Sequence, residues 1–136
     1  MEKNIKLNSF SIVENISGNI FKLLDKNSKN FFGFEEIYIS SIKKNTIKAW
    51  KKHTLMTCNL YVIKGEVKFV FLSQDESFSE IVLNENERKF ITVYPNTIFG
   101  FKGLSFEDSK ILNISNLIHN PNESINIDLN KYRYDW

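Results

Sequence analysis

Residues 48 to 53 read Lys-Ala-Trp-Lys-Lys-His. Side chains alternate along an extended strand, so Lys51 and His53 fall on one face. Histidine changes charge near neutral pH and can both take and return a proton. A lysine beside it can polarise a carbonyl or bind a phosphate. Moving a carbonyl to the adjacent carbon through an enediol needs only one such base, provided that it reaches both carbons. The alternative is a histidine at the rim of a binding pocket with no catalytic work. The other histidine, His119, precedes Asn120-Pro121 in a loop and carries no catalytic assignment. No glycine-rich phosphate loop, serine triad or paired-carboxylate motif accompanies the pair.

A chain of 136 residues is enough for one domain with one buried core, taken here as 1–136. A hydrophobic fraction of 42% against 25% charged places it among folded globular proteins. The formal net charge is +2, with lysines dispersed rather than gathered into a stripe, so a nucleic-acid partner is not expected. Lys43-Lys44 reads as a solvated turn; Lys51-Lys52 differs in having His53 beside it. The single cysteine, Cys58, excludes an intramolecular disulfide. It reads as a small apolar filler of the inner face rather than a reactive thiol. No apolar run fits a signal peptide or a membrane span, so the expectation is a soluble cytoplasmic protein with no membrane partner.

The elements that must position these residues are short and β-rich. Residues 5 to 13 alternate as an edge strand, Asn15 to Gly18 turns, and Ile20 to Leu24 forms a second short strand. Lys26 to Asn30 is a polar loop, and Glu36 to Ile42 is a strand closed by Lys43-Lys44-Asn45. Leu60 to Ile63 and Glu66 to Leu72 read as a tight hairpin about Lys64-Gly65, because glycine tolerates the positive φ of such a turn. Glu80 to Leu83 and Lys89 to Val93 flank a polar turn, Pro95 opens another, and Ile98 to Phe101 and Lys110 to Ser115 follow. A short helix fits near the C-terminus, although Asn120-Pro121-Asn122 favours turns there. Strands at this spacing, without helical periodicity, predict an all-β sandwich or barrel, and a jelly roll disposes of sheet edges in a chain of this size.

Residues 37 to 71, "IYISSIKKNTIKAWKKHTLMTCNLYVIKGEVKFVF", with "VYPNTIFGFKGL", "ILNISNLIHNPNE" and the ending "YRYDW", resemble the short-chain relatives of dTDP-4-dehydrorhamnose 3,5-epimerase. These are cupins that sit beside the dTDP-sugar 3,4-ketoisomerases, and the resemblance spans roughly residues 33 to 136. It implies an all-β cupin jelly-roll barrel, a homodimer, and a nucleotide-sugar substrate. The implied activity is epimerisation or keto-isomerisation of a nucleotide-linked 4-keto-6-deoxy sugar in bacterial surface-polysaccharide synthesis. The alternative is a non-catalytic barrel that binds a sugar nucleotide or a partner enzyme.

Counted back from Gly65, the metal-ligand places of the cupin motifs fall on Lys51, His53 and Cys58, and the last falls on Gly100. One imidazole and one thiol are too few for a catalytic metal site, so no metal or other cofactor is expected. The resemblance puts Lys51 where the epimerases carry their base, and Asn113 where they carry an acidic tyrosine. An amide cannot donate a proton as an acid, which leaves His53 as the base with Lys51 assisting. The remaining implied substrate contacts are Lys48 toward the diphosphate, with Tyr38, Cys58, Phe101 and Asn113 lining the pocket. Tyr38, Tyr61, Phe99 and Phe101 could also serve simply as barrel core.

Overall fold

The computed structural model describes residues 4–136. The strands are β1 (Ile5–Ser9), β2 (Ser11–Val13), β3 (Ile20–Lys22), β4 (Glu36–Ile42), β5 (Ile47–His53) and β6 (Cys58–Lys64). They continue as β7 (Glu66–Leu72), β8 (Phe78–Asn84), β9 (Lys89–Val93), β10 (Ile98–Gly103), β11 (Ser109–Ser115) and β12 (Ser124–Asn126). One five-stranded antiparallel sheet has the order β1-β9-β6-β11-β4, and a second has the order β12-β5-β10-β7-β8. The two face each other as a jelly-roll barrel, and β2 and β3 form a separate ribbon. The helix expected near the C-terminus is a single 3-10 turn, Leu129–Lys131, capped by Asp128. No helix among the described residues is long and apolar enough to cross a membrane.

The core lies between the sheets. Val67, Phe69, Phe71 and Ile91 are fully buried there, with Ile42, Leu83 and Ile111 closing around them. β11 shows how the sequence selects its inward face: Ser109, Ile111, Asn113 and Ser115 are buried while the residues between them are only partly so. A period of two therefore carries Asn113 inward along with an isoleucine.

The tight hairpin expected at Lys64-Gly65 is not there. β6 pairs with β9 and β11, whereas β7 pairs with β8 and β10, so the chain crosses from one sheet to the other at Gly65. Gly65 has φ 78°, as anticipated, but it turns a corner of the barrel. A Cβ there would collide with the Ser109 hydroxyl at the start of β11. Both flanking strands have near-continuous buried runs, which signals strands with cover on both faces rather than a half-solvated hairpin. The actual hairpin joins β7 to β8, with Leu72 opposite Phe78. The run expected as one strand over residues 5 to 13 is broken at Phe10, so that β1 joins β9 and β2 turns away to β3.

β5 carries the second irregularity. Phe99 of β10 faces Lys51 and Phe101 faces Lys48, so Ala49 and Trp50 together oppose Gly100. This is a β-bulge, two residues against one. A Cβ on Gly100 would strike the Ala49 side chain, which explains why the residue opposite the bulge is glycine. Without the bulge, Lys48 and Lys51 would point to opposite faces. With it, Lys48, Lys51 and His53 share the inner face.

Candidate active site

The inner faces of the two sheets enclose a cavity of about 400 Å³, within the range of small-molecule sites. One wall, from β5, β7 and β10, presents Lys48, Lys51, His53, Phe69, Phe99 and Phe101. The opposite wall, from β4, β6 and β11, presents Tyr38, Ser40, Leu60, Ile111 and Asn113. Asn126 and Ile127, from β12 and the residue after it, close one side. Of the residues singled out from sequence, Tyr38, Lys48, Lys51, His53, Phe101 and Asn113 meet here.

Cys58 is the exception, and its assignment as a substrate contact is corrected. It is 1% exposed within the hydrophobic core and does not line the cavity. Burial pushes its thiol up to about 11, with the Asn113 amide offsetting part of the rise. The group therefore stays neutral and packs as a small apolar side chain. Tyr61 is likewise core, stacked on Phe90 at 4.6 Å with its hydroxyl donating to the Leu23 carbonyl. His119 is exposed, and its backbone amide donates to Glu36.

His53 is 6% exposed, and its Nδ1 lies 2.8 Å from Oε1 of Glu123, itself 5% exposed. The other carboxylate oxygen, Oε2, accepts the backbone amides of Leu55 at 3.0 Å and Met56 at 2.9 Å. Glu123 is held from behind as well: its carbonyl accepts from the Thr54 amide and hydroxyl. Burial alone would raise the Glu123 carboxyl. The hydrogen bonds from the His53 ring and from the two amides outweigh it, and the carboxyl sits below its ordinary range. An ionised carboxylate only accepts, so Nδ1 carries the ring proton. In the neutral ring Nε2 then presents its lone pair as the nitrogen left for a ligand, which is the arrangement of an oriented general base.

Glu123 is the functional residue that the sequence reading missed. It lies 70 residues from His53 along the chain and is brought there because β12 pairs with β5, placing Ser124 opposite His53. The only local signal is an acid set directly between the turn at Asn120-Pro121 and a β-branched stretch.

Lys51 faces the cavity from the position opposite Phe99. Lys48 lines it too, with Nζ donating to the Ser41 carbonyl at 2.7 Å. On the facing wall Nδ2 of Asn113 donates to the Tyr38 hydroxyl at 2.8 Å. Burial raises the Tyr38 phenol above its usual value, with a further push from the nearby thiol, against a partial offset from Asn113. The phenol therefore keeps its proton. The cupin metal places hold a set that does not fit a metal. Gly100 offers no side-chain donor, Cys58 is sealed in the core, and Lys51 stands at a third place, which leaves His53 as a lone ligand. No group of three or more His, Cys, Asp or Glu converges among the described residues.

No family model matches the sequence, and no curated protein matches it. Solved structures do match over nearly its whole length. A dTDP sugar isomerase from Desulfovibrio desulfuricans superimposes with a TM-score of 0.88 at 22% identity, over 98% of this chain and 91% of that one. A sugar 3,4-ketoisomerase from Thermoanaerobacterium thermosaccharolyticum, solved with TDP, gives 0.83 at 16% identity over 97% and 93%. A dTDP-4-dehydrorhamnose 3,5-epimerase from Sulfolobus tokodaii gives 0.83 at 17% identity over 100% and 82%. At these identities the likeness is one of fold, and the chain has the jelly-roll fold of these enzymes.

Proposed function

We propose that the protein is an isomerase acting on a nucleotide-linked 4-keto-6-deoxy sugar, with dTDP as the carrier, by keto-isomerisation or by epimerisation at one carbon. The observation that carries this reading is the buried His53–Glu123 pair, which leaves Nε2 for a ligand in a cavity between the two sheets. The fold likeness supports the substrate class, since the neighbouring structures are a dTDP-sugar isomerase, a 3,4-ketoisomerase and a 3,5-epimerase. His53 is the base, and Lys51 balances the negative charge that develops on the ketone oxygen as a carbon-bound proton leaves. Lys48, at the side of the cavity, meets the diphosphate, and the Phe101 ring packs against sugar or base. The setting is cytoplasmic synthesis of a bacterial surface polysaccharide.

The test is exchange with solvent. Incubation with dTDP-4-keto-6-deoxyglucose in deuterium oxide should place deuterium on a sugar carbon, read by NMR. Tight dTDP-sugar binding with no exchange would leave the chain as a non-catalytic barrel. Replacing Lys51 by Met should lower kcat/KM by about 10- to 100-fold, the worth of one hydrogen bond to a charged group.

The working unit in this reading is a homodimer. Both β1 and β4 are sheet edges with unpaired backbone groups. Beside the second edge Ile37 and Ile39 are 51% and 54% exposed, and Val13, Ile20 and Phe21 of the β2–β3 ribbon are exposed as well. A second copy covering this region would bury that apolar surface. Light scattering at micromolar concentration should give twice the chain mass of 16.0 kDa, and a monomer mass would overturn the assignment.

A further inference from the structure

β7 is buried on both of its sides. Val67, Phe69 and Phe71 belong to the core between the sheets, while Val70 and Leu72 alternate with them and point outward. Those outward residues are nevertheless 0% and 6% exposed. The cover is the segment that follows β12. Its Tyr134 ring lies 4.9 Å from that of Phe78, the residue opposite Leu72, and 5.2 Å from that of Trp136. Lys68 of β7 stands over the Tyr134 ring, and Nζ of Lys102 in β10 donates to the main-chain oxygen of Trp136 at 3.3 Å. Residues 132–136 therefore cross the outside of the sheet whose inside carries Lys48, Lys51 and His53.

Beneath this cover sits Trp50, 2% exposed, with its indole 5.2 Å from Trp136 and 5.8 Å from Phe78. Nε1 donates to the Leu129 carbonyl at 3.2 Å, and the backbone of Trp50 exchanges two hydrogen bonds with Ile127. Trp50 is also one of the two residues in the β5 bulge, so the side on which it is held decides where the extra residue goes. The two ends of β5 are not held alike. Lys51 and Lys52 pair with β10 on one side and β12 on the other, and His53 is tied to β12 and to Glu123. Lys48 pairs with β10 alone, because β12 ends opposite Lys51. Its other tie is the bond from Nζ to the Ser41 carbonyl.

We propose that residues 127–136 are a clamp whose grip on Trp50 keeps Lys48 turned into the cavity, which makes Trp50 and Trp136 positioning residues for the anion-binding end of the site. With Trp50 held outside beside Ala49, the extra residue is taken up on the outer face and Lys48 is phased inward. Once the indole loses its cover, the first residues of β5 are restrained by β10 only, and a lysine there gains hydration by turning to solvent. Lys51 and His53 keep their ties to β12 and stay. The clamp therefore governs how tightly a phosphate group is held and leaves the proton-transfer step alone. Lys48 as the diphosphate contact rests on the isomerase reading above, whereas the placement of Lys48 by the clamp does not.

Trp136→Ala removes the outer ring without touching the cavity, and a thermal melt checks that the barrel stays folded. Its affinity for dTDP, measured by calorimetry, should fall about tenfold, the worth of one hydrogen bond to a charged group. kcat for deuterium exchange should stay within about threefold of wild type, and Trp136→Phe should restore most of the affinity. In a Lys48→Met background the same Trp136→Ala change should alter dTDP affinity by less than about twofold, because its route is gone. A crystal structure of Trp136→Ala should show Lys48 turned away from the cavity. Wild-type affinity in a folded Trp136→Ala, equal weakening with and without Lys48, or a matching drop in kcat each overturns the clamp. If Trp136→Ala does not fold, Trp136→Leu, which keeps apolar cover but loses the ring, is judged by the same comparisons. A wild type that neither binds dTDP nor exchanges deuterium overturns the functional reading alone. The crystal structure then decides the clamp, and Lys48 in its present place overturns it.

Discussion

Replacing His53 by Asn is expected to cut deuterium uptake into the sugar by about 10²- to 10⁴-fold, the usual worth of a positioned general base. Affinity for dTDP should change by less than about threefold. The two readouts separate because a base contributes in the transition state, whereas the nucleotide is held by ground-state contacts elsewhere. Asn fills part of the ring's volume and can still meet Glu123, so the wall should not collapse. Uptake at the wild-type rate would move the base to Lys51. That would require the lysine to work as a neutral amine beside Phe99, and the Lys51→Met variant would then lose exchange altogether.

Glu123 is expected to matter twice, for the reaction and for the fold. Glu123→Gln keeps the shape but can turn an amide N–H toward Nδ1, which would fix the ring proton on Nε2 and remove the base. Exchange should then fall by about 10²-fold or more with the protein still folded. Glu123→Ala removes the acceptor for His53 and for the amides of Leu55 and Met56 in one change. Each buried donor left without an acceptor costs about 1–3 kcal/mol, a loss that a denaturant melt would resolve.

The pH dependence follows from the direction of the shift. The folded carboxyl lies below its unfolded value, so its stabilisation is complete above the ordinary carboxylate range and fades as pH falls through the folded value. The gap in melting temperature between wild type and Glu123→Gln should be constant near neutrality. It should narrow below about pH 4. A gap that widened on acidification would contradict the assignment.

What could be read in the sequence follows from the range over which each signal acts. Lys51 and His53 were legible because two residues on one strand share a face whatever the strand pairs with. The β-branched run of Glu36 to Ile42 was legible on a similar local ground, whereas Asn113 came from the family resemblance and its inward phase from the structure. Glu123 was not, since nothing local ties residue 123 to residue 53 until β12 docks on β5. Tyr38 was visible only as a ring lining the pocket or the core, because its hydroxyl meets Asn113 directly opposite it only once β4 pairs with β11. The turn at Lys64-Gly65 misled for a related reason. Positive φ at glycine marks a sharp change of direction, but sheet membership decides whether that change makes a hairpin or a corner. The fold and half of the site thus come from patterns within strands, and the rest comes from pairings between them.

The bulge at Ala49–Trp50 makes the charge of the cavity a matter of strand phase. Deleting one residue there would let β5 and β10 pair regularly and would turn Lys48 out to the opposite face, with Lys51 and His53 still in place. The site would lose a cation without losing a lysine from the chain. Ligand preference in this barrel can therefore drift by insertion and deletion as well as by substitution. Alignments that score residue identity alone would see such a step as a gap, although it rewrites which side chains a ligand meets.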